Sequence, residues 1–220
     1  MSIALTFDDG YLDHAKLARL LAELKMRATF FVITHIKRFE GRPLLTQNMR
    51  LIAEIADLGH EIGSHTCTHR VLTMLNIMDL KTELKESKKL LEDITGREVL
   101  GLAYPYGIYN TKIVEFVREN YYYARATDIL PWDDPLNTNT WSRYIIGSAG
   151  ARKIHKVLIA LTNPLLRSKV KPSIFMHKAK LPKLMPLIMA LKALDLKFVT
   201  MKELVELIEK KAYDHSTCAS

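Results

Sequence analysis

The chain has 220 residues, of which 48% are hydrophobic, and can therefore bury a core of barrel size, which excludes an intrinsically disordered protein. No run of 18 apolar residues occurs and the first residues do not resemble an export signal, so we expect a cytoplasmic protein without a transmembrane segment. The formal net charge of +8 suits an anionic partner, but a nucleic-acid-binding protein is not predicted, because no basic and aromatic binding motif accompanies the charge.

Short apolar or β-branched segments alternate along the chain with segments that carry apolar residues at helical spacing. Strands are predicted at residues 2–7, 28–33, 60–65, 99–104, 121–127, 143–146, 173–177 and 197–200. Amphipathic helices are predicted at residues 12–25, 44–58, 77–94, 111–120, 151–161, 181–194 and 201–210. This alternation predicts parallel strands joined by crossover helices, in an α/β sheet or a closed β/α barrel whose active site lies at the carboxyl ends of the strands. No linker divides the chain, so we expect residues 1–220 to form one domain that ends in a short disordered tail.

Two adjacent carboxylates, Asp8 and Asp9, follow the first predicted strand and precede Gly10. Neighbouring side chains at a strand end point in different directions, so one carboxylate can bind a metal ion while the other accepts a proton from a water molecule. A plain Asp-Gly turn, in which the two acids serve only turn hydrogen bonds, is the alternative interpretation.

Two histidines, His65 and His69, follow the third predicted strand at a spacing of four residues, which favours one face of a helical turn. Hydrolytic zinc sites keep three protein ligands of this kind and leave one position for water, so Asp9, His65 and His69 would complete a catalytic metal set. A helix cap or a surface position would equally explain a lone histidine pair. Cys67, between the histidines, is interpreted as a small buried thiol rather than a ligand, and with only Cys218 as a second cysteine no disulfide framework is expected.

The motifs TFDDG, GHEIGSHTCTH, AYPYG and SIFMH occur in an order that resembles the polysaccharide deacetylase family, also called the NodB homology domain or carbohydrate esterase family 4. The resemblance extends from residue 3 to about residue 205, which is nearly the whole chain. It implies a distorted β/α barrel of about seven parallel strands. It also implies a hydrolase that removes N-acetyl or O-acetyl groups with a divalent metal ion held by Asp-His-His.

By the same resemblance, Asp8 is the general base and His177 is the general acid that protonates the leaving amine. The metal ligands that it implies are Asp9, His65 and His69. An amide anion is a very poor leaving group at neutral pH, so collapse of a tetrahedral intermediate requires a proton donor near the nitrogen. A histidine at the end of a strand suits that role.

A proline and a glycine fix a turn in Tyr104-Pro105-Tyr106-Gly107, at the end of a predicted strand. This turn can leave the backbone N–H of Tyr106 free to face a developing oxyanion, and the family resemblance implies the same role for it. Aromatic packing in an ordinary turn is the alternative. The predicted substrate contacts are Tyr104, Pro105, Tyr106 and Trp141.

Two positions depart from the family pattern. Ala103 stands where many members carry an arginine that pairs with the general base, and Lys178 follows His177 where an aspartate is frequent. Arg143 resembles an arginine that some subgroups carry on a later strand, so we expect its guanidinium to approach Asp8 and hold it oriented and ionised. Candidates for the acid that orients the general-acid histidine are Asp128, Asp133 and Asp134.

These residues together predict a hydrolase that removes an acetyl group from an N-acetylated sugar or glycan. The predicted cofactor is a divalent metal ion, with zinc favoured by the ligand set and cobalt or nickel as alternatives. A small acylated amide or a formamido sugar is an alternative substrate. A metal-binding or glycan-binding relative with weak catalysis is a further interpretation, motivated by Ala103 and Lys178. The sequence does not indicate an oligomeric state.

Overall fold

The computed structural model describes residues 2–127, 146, 173–177, 181–194 and 196–217. Seven strands of this part of the chain form one parallel sheet, and two short strands form a separate antiparallel hairpin. The strands are β1 (Ser2–Phe7), β2 (Thr29–Val32), β3 (Arg38–Phe39), β4 (Arg42–Pro43), β5 (Glu61–Ser64), β6 (Gly101–Ala103), β7 (Tyr123–Arg125), β8 (Ser173–Met176) and β9 (Lys197–Val199). The order across the sheet is β7-β6-β5-β2-β1-β8, and β9 also pairs with β1.

The described helices follow strands along the chain, as the alternating pattern predicts. They are α1 (His14–Glu23), α2 (Arg50–Asp57), α3 (Ile77–Thr95), α4 (Thr111–Arg118), α5 (Leu181–Ala193) and α6 (Met201–Thr217). The segment at residues 44–58 is not one helix but a short 3₁₀ turn, Leu45–Gln47, followed by α2. The longest helix, α3, begins after the side chain of Asn76 caps the N–H of Asp79 and ends at Gly96, which adopts a left-handed conformation.

The sheet is strongly curled, and the contacts of Arg125 demonstrate this. Arg125 ends β7 at one edge of the sheet, whereas Phe175 lies on β8 at the other edge. Five strand spacings in a flat sheet would separate these two strands by about 24 Å. The guanidinium carbon of Arg125 nevertheless lies 5.2 Å from the centre of the Phe175 ring. The strands therefore enclose a common interior, which confirms the predicted distorted β/α barrel.

A polar network at the amino ends of the strands closes one end of the barrel. Its centre is Glu61, at the start of β5, whose carboxylate accepts hydrogen bonds from the hydroxyls of Thr29 and Tyr123, each at 2.8 Å. The same carboxylate accepts the N–H of Lys202, in the first turn of α6, at 3.0 Å. Burial raises the pKa of Glu61. This network docks α6 against the strands, and the predicted site residues lie at the opposite end.

Candidate active site

The turn after β1 carries the two predicted carboxylates. The Asp8 N–H donates to the carbonyl of Met176 at 2.9 Å, which continues the pairing of β1 with β8. Asp9 and Gly10 then both adopt a left-handed backbone with φ of 71°. A Cβ at Gly10 would lie 2.9 Å from the side chain of Val32, so this turn requires glycine. The turn sends the side chains of Asp8 and Asp9 to different neighbours.

The loop after β5, residues 65–69, carries the two predicted imidazoles and is called the histidine loop below. Nε2 of His65 lies 3.1 Å from Nε2 of His69, so the two rings meet as expected. The predicted helical turn is wrong, because Thr66 and His69 adopt left-handed backbones with φ of 67° and 61°. Nδ1 of His65 donates to the carbonyl of Ala103 at 2.9 Å, and this bond selects the tautomer in which Nε2 carries a lone pair toward the cluster.

Asp9, His65 and His69 form a buried cluster whose ligand atoms all lie within 4.8 Å of one another. Oδ1 of Asp9 is 3.5 Å from Nε2 of His65 and 3.6 Å from Nε2 of His69. This oxygen is buried, and no described residue donates a hydrogen bond to it. An unpartnered buried oxygen is costly, whereas an oxygen that faces two imidazole nitrogens fits a cation between them. The donor set therefore fits a divalent ion such as zinc, cobalt or nickel.

The protonation states of the cluster also suit metal binding. Burial alone would raise the pKa of Asp9, but the adjacent His65, with smaller effects from His177 and His69, lowers it to about 2. Burial, together with the neighbouring His65, lowers the pKa of His69 to about 3. Near neutral pH the carboxylate is ionised and the His69 ring is neutral, which are the forms that bind a metal ion.

Asp8 lies between two nitrogen-bearing side chains at the edge of the cluster. Its Oδ1 is 2.5 Å from Nη2 of Arg125, and both side chains are buried. Its Oδ2 is 3.7 Å from Nε2 of His177, whose side chain is 48% exposed. The guanidinium fixes the orientation of the carboxylate. The second oxygen faces the side of the site that carries the accessible imidazole.

Arg125 is a site residue that the sequence did not identify. The sequence points to Arg143 as the guanidinium beside Asp8, but Arg143 lies outside the described residues and the contact is made by Arg125. Its guanidinium carbon lies 5.1 Å and 5.2 Å from the ring centres of Phe31 and Phe175, so the side chain crosses the barrel interior between two aromatic rings. An available signal was an arginine inside the apolar strand YYYARAT, because a buried arginine requires a partner.

The turn at residues 104–107 follows β6, which is the strand next to β5, and lies beside the cluster. The ring of Tyr106 lies 4.5 Å from that of His69, and Phe39 flanks His69 at the same distance. Tyr106 has φ of 58°, which is a strained left-handed conformation for a tyrosine. The hydrogen bonds that close the turn use the amides of Gly107 and Ile108, which leaves the Tyr106 amide outside them.

The predicted substrate contacts in this turn differ in accessibility. Tyr104 is fully buried and stacks on Tyr109 at 5.1 Å, and Pro105 is also buried. Burial raises the pKa of Tyr104, so its hydroxyl stays protonated. Tyr106 is 58% exposed, so its side chain is the one in this turn that is accessible to a substrate.

A buried histidine supports the strand end that carries His177. His14, the first residue of α1, is fully buried, and its Nε2 donates to the carbonyl oxygen of His177 at 3.0 Å. Burial lowers the pKa of His14, so the ring is neutral and Nε2 carries the proton. His14 could not be singled out from the sequence, because its partner lies 163 residues away.

Cys67 is buried, as expected, and lies outside the metal cluster. Its thiol donates to the carbonyl of Thr82 at 3.5 Å. Burial, with the charge of Glu83, raises its pKa to about 12, which makes it an unreactive thiol.

Several predicted features lie outside the described residues. These are Trp141, Arg143, Lys178, Cys218, the helix at residues 151–161 and the acids Asp128, Asp133 and Asp134. Their roles stay predictions. Of the helices that the structure describes, none is both long enough and apolar enough to cross a membrane.

A buried Asp-His-His cluster at the carboxyl end of a parallel β/α barrel, with a second carboxylate beside it, is typical of metal-dependent hydrolases. Residues 1–124 match the model of the polysaccharide deacetylase family. This chain belongs to that family, which confirms the resemblance that the sequence motifs indicate.

Relatives agree with this membership. The Bacillus subtilis protein YxkH, whose name places it among polysaccharide deacetylases, is 31% identical over 57% of this chain and 44% of its own length. The peptidoglycan-N-acetylglucosamine deacetylase PgdA of Listeria monocytogenes is 28% identical over 63% of this chain and 26% of its own. The chain thus spans less than half the length of these two relatives. A family 4 carbohydrate esterase from Bacillus anthracis has the same fold, with a TM-score of 0.64 over 93% of this chain and 82% of that one at 23% identity.

Proposed function

We propose that this chain is a metal-dependent deacetylase that removes the acetyl group from an N-acetylated sugar of a glycan. The observation that carries the proposal is the juxtaposition of Asp8, fixed by Arg125, with the cluster of Asp9, His65 and His69. A carboxylate that can accept a proton, next to a three-ligand metal site, is a minimal set for hydrolysing an amide. The name of the Listeria monocytogenes relative, an N-acetylglucosamine deacetylase, supports the substrate class.

Asp9, His65 and His69 would hold the metal ion through one carboxylate oxygen and two imidazole nitrogens. When bound, an ion of the zinc type supplies Lewis acidity, which polarises an acyl oxygen and lowers the pKa of a water molecule. The hydrogen bond from Nδ1 of His65 to the carbonyl of Ala103 keeps Nε2 of that ring aimed at the cluster. The chain therefore presents His65 in the tautomer that the ion needs.

Asp8 accepts the proton of the attacking water molecule. Arg125 occupies its Oδ1, so Oδ2 is the oxygen that takes the proton. His177, exposed and 3.7 Å from that oxygen, donates a proton to the departing amine nitrogen. The backbone N–H of Tyr106 donates to the acyl oxygen as negative charge develops on it. Acetate and a free amine are the products.

Acetate release from an N-acetylglucosamine oligomer tests this proposal. The zinc-loaded wild type should release acetate, whereas metal-stripped protein should not. Asp8→Asn and His177→Ala should each lower kcat by about 10²- to 10⁴-fold, because each removes a proton-transfer group. Asp57→Asn changes an exposed aspartate that pairs with Arg97 on the surface, so it is a matched control and should keep the wild-type rate. Undiminished release by Asp8→Asn would refute the general-base role, and release without metal would refute metal dependence.

A further inference from the structure

Glu83, on the buried face of α3, binds the histidine loop through its carboxylate. The residue is only 5% exposed. Its Oε2 accepts hydrogen bonds from the N–H of Cys67 at 2.8 Å and from the N–H of Thr68 at 2.9 Å. The hydroxyl of Thr68 donates to Oε1. Both oxygens of this buried carboxylate are therefore bound by two consecutive residues that lie between His65 and His69.

The histidine loop has an irregular backbone that needs such support. Thr66 and His69 are both left-handed, a conformation that is unfavourable for residues with a Cβ and persists only where surrounding contacts hold it. The Thr66 N–H donates to the hydroxyl of Ser64, the last residue of β5, at 3.2 Å, and the His69 N–H donates to the hydroxyl of Thr66 at 3.1 Å. The two amides in the middle of the loop donate to Glu83 instead.

Hydrogen bonds, rather than ion pairs, accommodate the charge of Glu83. The described ion pairs that involve α3 join Arg70 to Asp79 and Lys88 to Glu92, and neither includes Glu83. A buried carboxylate is stable only where donors surround it, and here the histidine loop supplies them. The conformation of the loop and the burial of the carboxylate therefore depend on each other.

We propose that Glu83 is a positioning residue that sets the metal affinity of the cluster formed by Asp9, His65 and His69. It acts on the backbone between the two histidines, so that both Nε2 atoms face Oδ1 of Asp9. Without this carboxylate the ion itself would have to order the loop, and part of the binding free energy would be lost. The inference rests on the proposed metal-dependent function.

The zinc affinity of wild type and variants, measured by competition with a chromophoric chelator, tests the inference. Glu83→Ala and Glu83→Asp should bind zinc about 10- to 100-fold more weakly, because neither side chain reaches both amides. Glu83→Gln should stay within about threefold of the wild type, because its amide oxygen can accept both backbone hydrogen bonds as Oε2 does. Glu86→Ala, which changes an exposed acid of the same helix, is the matched control and should bind zinc like the wild type.

Thermal unfolding of the metal-free variants distinguishes an effect of Glu83 on metal affinity from an effect on the stability of the fold. A purely structural role would lower the melting temperature of Glu83→Asp and leave the zinc Kd of the folded protein unchanged, and this result would overturn the inference while the proposed function stands. Absence of zinc binding by the wild type would overturn both. If Glu83→Ala does not fold, the zinc affinities of Glu83→Asp and Glu83→Gln test the inference instead. The first variant keeps the charge of the side chain, and the second keeps its length.

Discussion

The buried pair of Arg125 and Asp8 can be tested by removing the guanidinium in Arg125→Met. Arg125 is 0% exposed and Asp8 is 1% exposed, and Asp8 is the one hydrogen-bond partner of the guanidinium among the described residues. Removal of one partner of a buried ion pair costs about 3–5 kcal/mol, chiefly because the other charge is left unpaired in a medium of low polarity. We therefore expect Arg125→Met to lower the free energy of unfolding by about 3–5 kcal/mol near neutral pH.

A double-mutant cycle distinguishes this pairing from a general packing defect. Asp8→Asn in the Arg125→Met background should recover much of the lost stability, because no unpaired charge remains. Urea unfolding of the wild type, both single variants and the double variant then gives a coupling energy, which we expect to exceed about 2 kcal/mol. A coupling energy below about 0.5 kcal/mol would refute the conclusion that Arg125 supports Asp8.

Two further predictions concern stability. Burial lowers the pKa of His60, whose Nδ1 accepts the N–H of Ala28 and whose Nε2 donates to the carbonyl of Ala18. The unfolded chain binds a proton that the folded protein excludes, so stability should fall as the pH drops below about 6.5, by up to about 1.4 kcal/mol per pH unit from this residue. The free energy of unfolding, measured with urea at several pH values in this range, should depend less steeply on pH for His60→Gln than for the wild type. An unchanged pH dependence would contradict the conclusion that His60 is neutral in the folded protein. Gly101→Ala would bring a Cβ within 2.2 Å of the Tyr123 hydroxyl, so it should lower the free energy of unfolding, measured by thermal unfolding, by about 1–3 kcal/mol. A decrease under about 0.5 kcal/mol would show that the Tyr123 ring moves aside at little cost.

Strand positions and the residues that follow them could be predicted from the sequence for a physical reason. Parallel strands of a barrel are buried on both faces, so they appear as short continuous apolar runs. Asp8 directly follows such a run in β1, and His65 directly follows the shorter β5. The carboxyl ends of parallel strands meet at one end of the barrel. The spacing of His65 and His69 predicted their proximity correctly but not the backbone between them, because a left-handed residue such as Thr66 leaves no sequence signal when it is not glycine.

Arg125 and Glu83 could not be assigned from the sequence, because their partners are fixed by tertiary structure. Arg125 contacts Asp8 across 117 residues of chain, and only the curl of the sheet brings the two together. Glu83 shares the buried face of α3 with Leu80 and Leu84 at helical spacing, which is a pattern that indicates a buried polar residue. That pattern does not identify the histidine loop as its partner.

The proposed function requires that Asp9, His65 and His69 hold one divalent metal ion. Anomalous scattering at the zinc edge, from a crystal of the wild-type protein grown with zinc, shows where the ion binds. We expect one strong peak about 2.0–2.2 Å from a carboxylate oxygen of Asp9 and from Nε2 of both histidines. A crystal in which zinc binds elsewhere, with the three side chains ordered and no peak between them, would contradict it.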